Sequence, residues 1–160
     1  MSATFEDLRV LKLAEEIADS IWKQVVKWDE FAKDVVGKQI TRSADSIGAN
    51  IAESFGRHNF GEKLQFLYYS RGSLFETKYW LNRTQTRNLM NANEVREYVE
   101  GLTALARQLN TFASGLKTVR AEQPKNKASV REPTSEYIVA TIEDFPLPLF
   151  SEEDLHLLNS

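Results

Sequence analysis

The stretch VGKQITRSADSIGANIAESFGR, residues 36–57, decides the fold. Within it Val36, Ile40, Ala44, Ile47, Ile51 and Phe55 recur at steps of four, four, three, four and four, which lays these apolar side chains along one face of an α-helix. Gly56 then offers a left-handed cap at which that helix can stop. No proline occurs before Pro124, so the same period can run unbroken on either side.

Upstream, Leu8, Leu11, Ile17, Ala18, Ile21, Trp22 and Val25 predict a first helix over about residues 6–27. Its acids, Glu6, Asp7, Glu15, Glu16 and Asp19, lie mostly toward the front, where carboxylates suit the helix dipole. Downstream, Asn59 followed by Glu62 reads as a capping box that opens a third helix, running to about Asn88. The same signal at Asn91 and Glu94 opens a fourth, in which Val95, Tyr98, Val99, Leu102, Leu105, Ala106, Leu109, Phe112, Ala113, Leu116 and Val119 trace an apolar stripe to about residue 122. Four such helices with short connections predict an all-α fold: an antiparallel up-down-up-down four-helix bundle over residues 1–123. An extended, mostly non-helical tail, acidic and proline-containing, follows over 124–160.

The chain has 160 residues, the size of one domain with one core. With 20 basic and 23 acidic residues the net charge is −3, so nucleic acid would have to be held by a local patch rather than by bulk charge. There is no cysteine, and the histidines are His58 and His156, which removes disulfides, thiolate zinc sites and cysteine nucleophiles. No catalytic residue, metal site or cofactor motif can be named. No apolar run approaches the roughly 20 residues that span a bilayer, and the start MSATFEDLRV lacks a signal-like apolar segment, so cytoplasmic residence without a membrane partner is expected.

The charge is unevenly spread. Residues 1–123 carry 17 basic and 16 acidic side chains, whereas 124–160 carry 3 and 7. Residues 38–87 hold Lys38, Arg42, Arg57, Lys63, Arg71, Lys78, Arg83 and Arg87 against Asp45, Glu53, Glu62 and Glu76, a local net of +4. This is the candidate nucleic-acid face, with a solvated mixed-charge surface as the competing reading.

A second stripe runs beside the apolar face of helix two: Gln39, Arg42, Ser46, Asn50, Glu53 and Arg57. Serine and asparagine compete for backbone hydrogen bonds inside helices, so the run asks for a reason. It fits a polar network that fixes helix register, with an arginine pairing to Glu53 or to Glu76. It also fits an anion site built on the arginines, or a catalytic site using His58. Helix three is apolar on two sides. Phe60, Leu64, Leu67, Leu74, Phe75 and Leu81 form one face, and Phe66, Tyr69, Ser70, Ser73, Thr77 and Trp80 another, as expected of a wide core stripe or of a subunit interface. Gly72, with Ser70 and Ser73, marks close approach of another backbone.

The string QITRSADSIGANIAESFGR followed by FLYYSRGSLFE resembles the four-helix-bundle proteins encoded by intervening sequences of bacterial 23S ribosomal RNA genes, and the related accessory variability protein of diversity-generating retroelements. The matching positions are Gln39, Ile40, Arg42, Ser46, Ile47, Asn50, Ile51, Ala52, Glu53, Gly56 and Arg57, then Phe66, Leu67, Gly72, Ser73 and Glu76, and the opening Phe5-Glu6-Asp7-Leu8 also fits. The resemblance covers about residues 5–122. It implies a homo-oligomer, a pentameric ring of bundles, without enzymatic activity. Its retroelement branch implies a reverse transcriptase partner and RNA or DNA bound on a strongly basic surface. This chain departs from the pattern in its near-neutral bundle, in Gly48-Ala49 where the family often has Pro-Ser, and in Ser54 where it often has Gly.

In the tail, Tyr137, Ile138 and Ile142 sit in a strand-like run, and Phe145, Leu147, Leu149 and Phe150 alternate with prolines or follow them. A merely solvated extension has fewer aromatics and β-branched residues, so these predict a docking segment, placed on its own bundle, on a neighbouring subunit or on a partner, with an unbound disordered extension as the competing reading. Two functions therefore stand side by side. One is a homo-oligomeric binding protein of the intervening-sequence type. The other is an accessory subunit of a reverse transcriptase with the tail as its docking motif.

Overall fold

The computed structural model describes residues 5–122 and 147–160. α1 (Phe5–Val25) leads into a single helical turn, α2 (Glu30–Ala32), then a π-helical turn at Lys33–Gly37 and α3 (Lys38–Gly56). α4 (Phe60–Thr86) and α5 (Ala92–Glu122) complete the four long helices, and α6 (Glu152–Asn159) ends the chain. α1 packs on α3 and α5, and α4 packs on α3 and α5, so each long helix borders its neighbour in sequence and the circuit closes between α5 and α1. This is the expected four-helix bundle.

The core is aliphatic. Ile21, Ile40, Ile47, Ile51, Leu64, Leu67, Leu74, Leu81, Leu102, Leu105 and Leu109 are fully buried. α1 stops at Val25, short of the expected residue 27, because the chain turns to let Asp29 cap the next helix by accepting the Ala32 N–H at 2.9 Å. Gly37 ends the π-helical turn directly under α1. A β-carbon there would lie 2.7 Å from Val25 Cγ1, so glycine is what lets the two elements approach.

Gly56 does not take the left-handed cap, since no glycine among the described residues has a positive φ. α3 runs out instead into an extended Arg57 at φ −87°, ψ 139°. Lys63 does the capping: its buried Nζ donates to the carbonyls of Ser54 at 3.2 Å and Phe55 at 3.5 Å, a cation at the negative end of the helix dipole. Asn59 opens α4 by accepting the Gly61 N–H at 2.8 Å rather than by a reciprocal box with Glu62. The Asn91–Glu94 box forms completely, at 2.7 and 2.9 Å. α4 ends at Thr86, and the left-handed residue is Asn88, at φ 58°.

α3 and α4 meet along a polar seam. Lys63, Ser70, Thr77 and Thr84 recur every seven residues on α4 and are buried, interleaved with Leu67, Leu74 and Leu81. Ser70 Oγ donates to the Ile47 carbonyl of α3 at 3.0 Å, and Thr77 Oγ1 lies 3.1 Å from Ser43 Oγ. Small hydroxyl side chains let the helix axes come close while each buried oxygen keeps a partner.

The described end of the tail lies on the bundle. Leu147–Phe150 bend across it, and Ser151 and Asp154 form a capping box that starts α6, a helix within a tail expected to be mostly non-helical. Leu149, Phe150, Leu155 and Leu158 join the bundle's own core cluster, and Leu147 packs against it. Tyr137, Ile138, Ile142 and Phe145 lie outside the described residues.

The seam makes a size prediction. Ser70→Leu should cost about 1–3 kcal/mol by forcing α3 and α4 apart, whereas Ser70→Ala, which removes one hydroxyl, should cost about 1 kcal/mol or less. Urea unfolding of the two variants gives the comparison, and equal losses would contradict close packing at this position. Asp154 makes a second. Burial raises its pKa, but bonds from the Ser151 backbone and from Arg71 outweigh that and hold the carboxyl below its ordinary value. A depressed carboxylate stabilises the docked tail above the unfolded pKa of about 3.9 and loses that contribution as pH falls through the folded value. Amide protection at Leu155 and Leu158, taken relative to the intrinsic exchange rate at each pH, should therefore fall below about pH 4, and Asp154→Asn should flatten that dependence.

Candidate nucleic-acid and subunit interfaces

The basic residues of 38–87 do not form one surface. Lys38 pairs with Asp34 one turn earlier, on the exposed start of α3. Arg57 pairs with Glu53, and its guanidinium lies 4.6 Å from the Phe66 ring. Lys63 is buried against the end of α3. Arg71 Nη2 donates to Asp154 Oδ1 at 2.9 Å, with its guanidinium 5.0 Å from the Phe75 ring and 5.7 Å from that of Phe150. Two of the eight cations thus organise the fold rather than await a ligand.

Arg42, Lys78, Arg83 and Arg87 pair with no acid among the described residues. Arg83 sits 5.9 Å from the Tyr79 ring, and its buried Nε has no hydrogen-bond partner. Partial burial pushes the Lys78 ammonium below its ordinary pKa. Arg87 lies exposed at the carboxy-terminal end of α4. The Thr77–Ser43 contact aligns the first half of α3 with the second half of α4, so Arg42, Arg83 and Arg87 belong to the same end of the bundle. Those groups can hold phosphate oxygens, and the aromatic neighbour of Arg83 can stack on a base.

The opposite sign lies elsewhere. A groove of about 420 Å³ between α1 and α3 is edged by Glu15, Asp19 and Asp45. Burial, then the charge of Asp19, raises the Asp45 pKa. That groove repels phosphate.

The polar stripe on α3 bonds along its own helix. Ser46 Oγ donates to the Arg42 carbonyl at 2.7 Å, Asn50 Nδ2 donates to the Ser46 carbonyl at 2.8 Å, and Glu53 holds Arg57. Gln39 and Glu76 are exposed, and Ser73 contributes its carbonyl to Thr77 at 2.8 Å. His58 is exposed in the connection between α3 and α4. The side chains that join α3 to α4, namely Ser43, Ser70 and Thr77, are ones the sequence reading left out of the motif, although the seven-residue spacing from Lys63 through Ser70 and Thr77 to Thr84 is visible in the sequence.

α4 also carries an outward stripe. Tyr69, Gly72, Glu76, Tyr79 and Arg83 follow at steps of three, four, three and four. Tyr69 is 50% exposed and Tyr79 54%, in a helix whose other side is already in the core. Tyr69 is held upright by Gln65 Nε2 at 2.7 Å and by an edge contact with Phe66 at 5.6 Å, and Tyr79 meets Trp80 edge-on at 5.1 Å. A β-carbon at Gly72 would touch nothing within 4 Å, so nothing described in this chain requires glycine there.

No helix among the described residues is long and apolar enough to cross a membrane, and no group of histidine or acidic side chains among them is placed to hold a metal ion. No curated protein matches the chain. Residues 6–111, from the start of α1 well into α5, match the model of the 23S rRNA-intervening sequence protein family, and the chain belongs to that family.

Proposed function

We propose that this is a non-enzymatic, cytoplasmic, homo-oligomeric binding protein of the 23S rRNA intervening-sequence type, a pentamer whose subunits meet through α4 and which contacts nucleic acid through Arg42, Lys78, Arg83 and Arg87. The observation that carries the oligomer is Gly72. Glycine inside a helix costs about 1 kcal/mol relative to alanine. Here it sits open between two half-exposed tyrosines, and nothing within the described chain explains it. A helix of a second subunit crossing at Gly72 would recover that cost through close contact and would cover both tyrosines.

Symmetry then matters for nucleic acid. Residues 38–87 offer four cations with no acid partner among the described residues, too few for tight binding, but a ring repeats them, and phosphate affinity grows steeply with contact number. The reading as a reverse transcriptase adaptor is supported less well, because three cations at one end, with Lys78 nearer the middle of α4, do not make a strongly basic surface.

Two outcomes test the proposal. Gly72→Arg should leave the helical circular dichroism intact and shift the mass seen by light scattering from oligomer to monomer. A native protein that is already monomeric at micromolar concentration would sink the ring. Separately, RNA affinity should fall with salt at a log–log slope of roughly −0.7 to −0.9 per phosphate contact. Arg83→Glu with Arg87→Glu should weaken binding and flatten that slope, whereas Lys38→Glu should change little because Asp34 already engages that lysine. A flat salt response in the native protein would end the nucleic-acid part of the proposal while leaving the oligomer standing.

A further inference from the structure

Asn110 and Arg71 hold the end of the chain by contacts that read it as a peptide. The Asn110 carboxamide, on α5, bonds twice to one residue's backbone: Nδ2 donates to the Phe150 carbonyl at 2.8 Å, and the Phe150 N–H donates to Oδ1 at 2.8 Å. This copies one rung of strand pairing and holds the backbone of residue 150 whatever its side chain. The Phe150 ring is 1% exposed, 6.0 Å from the Phe75 ring, with the Arg71 guanidinium over it. Four residues on, Arg71 binds Asp154 Oδ1, while Asp154 Oδ2 accepts the Ser151 N–H at 2.9 Å and Ser151 Oγ accepts the Asp154 N–H at 3.1 Å. The carboxylate that starts α6 is therefore the one that α4 recognises. Leu155 and Leu158 then enter buried positions. Together these contacts select a segment of the form apolar–aromatic–Ser–x–x–Asp–Leu–x–x–Leu, helical after its serine.

The connection to that segment is longer than the docked position needs. Twelve residues of α5 separate Asn110 from Glu122, a rise of about 18 Å at about 1.5 Å per residue. Six extended residues return that distance at about 3.3 Å each. The chain supplies residues 123–146, a contour of about 80 Å, several times the 10–12 Å diameter of a helix with its side chains. We infer that the α4–α5 groove is a peptide-recognition site, and that the C-terminal segment of a second copy occupies it in exchange with the chain's own. The inference does not depend on the α4 stripe at Gly72, since the tail contacts Arg71 and Phe75 and a β-carbon at Gly72 would touch nothing within 4 Å.

A labelled peptide of residues 145–160, titrated against full-length protein by fluorescence anisotropy, tests the groove. Native protein should bind it weakly, because its own tail competes. Phe150→Ala with Asp154→Asn, which disables the resident tail, should bind it at least about tenfold more tightly, and adding Asn110→Ala should reverse that gain. Absence of saturable binding to the tail-disabled protein, or indifference to Asn110→Ala, would overturn the site. Should the double variant lose its helical circular dichroism, Asp154→Asn alone, which keeps the apolar contacts, decides by a smaller gain or by none. The chain has no cysteine, so Leu157→Cys on the exposed side of α6 carries a unique dye on a full-length tracer. That tracer should bind the tail-disabled protein more tightly than the same protein carrying Asn110→Ala, a difference that separates tail exchange from association through any other face. Capture of the peptide but not of the full-length tracer would overturn the second copy as occupant.

Discussion

The seam between α3 and α4 is the constraint on which the rest of the structure depends. Leucines at 67, 74 and 81 could pack against isoleucines in many registers, since apolar contact is not directional. Ser70 on the Ile47 carbonyl and Thr77 against Ser43 allow one. A slip of one turn would bury hydroxyls without partners, a loss of roughly 1–3 kcal/mol for each. Fixing that register also sets where Lys63 falls. It arrives at the end of α3, where three residues of connection leave the last carbonyls open, and closes them with its ammonium.

Once α4 is fixed against α3, its remaining surface divides into flanks that carry different work. Successive residues turn by about 100° around a helix. Arg71 therefore faces the tail while Gly72 faces outward, and Ser70 stays in the seam. The same geometry explains why the basic residues of α4 do not act as one patch. Lys63 and Arg71 point inward or sideways into structural contacts, and the cations with no acid partner among the described residues gather toward the carboxy-terminal half of the helix.

What the sequence made legible was what depends on near neighbours. The steps from Val36 to Phe55 and the Asn91–Glu94 box are local, and helix period and capping chemistry read them directly. The end of α3 was misread for a physical reason: Gly56 suggests a left-handed cap, but Lys63 supplies the missing donor from the next helix, and that contact exists only after α4 has folded back. The α3 stripe from Gln39 to Arg57 drew notice because its residues are polar, yet its bonds run along its own helix. The contacts that join helices used serine and threonine at seven-residue spacing, which single-helix amphipathicity sorts into a second face rather than into a seam. Docking at Leu149 and Phe150 followed from their apolar character, but Asn110 and Arg71 were not legible as partners. Forty and 79 residues separate them from Phe150, and only the closed bundle brings them to one groove.

The family relationship and the tail bear on different parts of this molecule. The matched residues 6–111 include Arg71 and Asn110, the two side chains that receive the tail, and stop before the tail itself. Groove and ligand are thus divided between the shared bundle and the part of this chain beyond the match. In the docked state Phe150 covers Phe75 and the apolar edge between α4 and α5. If the tail leaves, that edge and the Arg71 guanidinium become exposed together, an apolar slot beside a cation. Such a slot favours an acidic, aromatic segment over a phosphate backbone, because the aromatic fills the slot and the carboxylate reaches the arginine, whereas a sugar-phosphate chain satisfies only the charge. The middle of α4, at Arg71 and Phe75, is therefore suited to a peptide, whereas the phosphate contacts proposed for Arg83 and Arg87 lie toward its carboxy-terminal end.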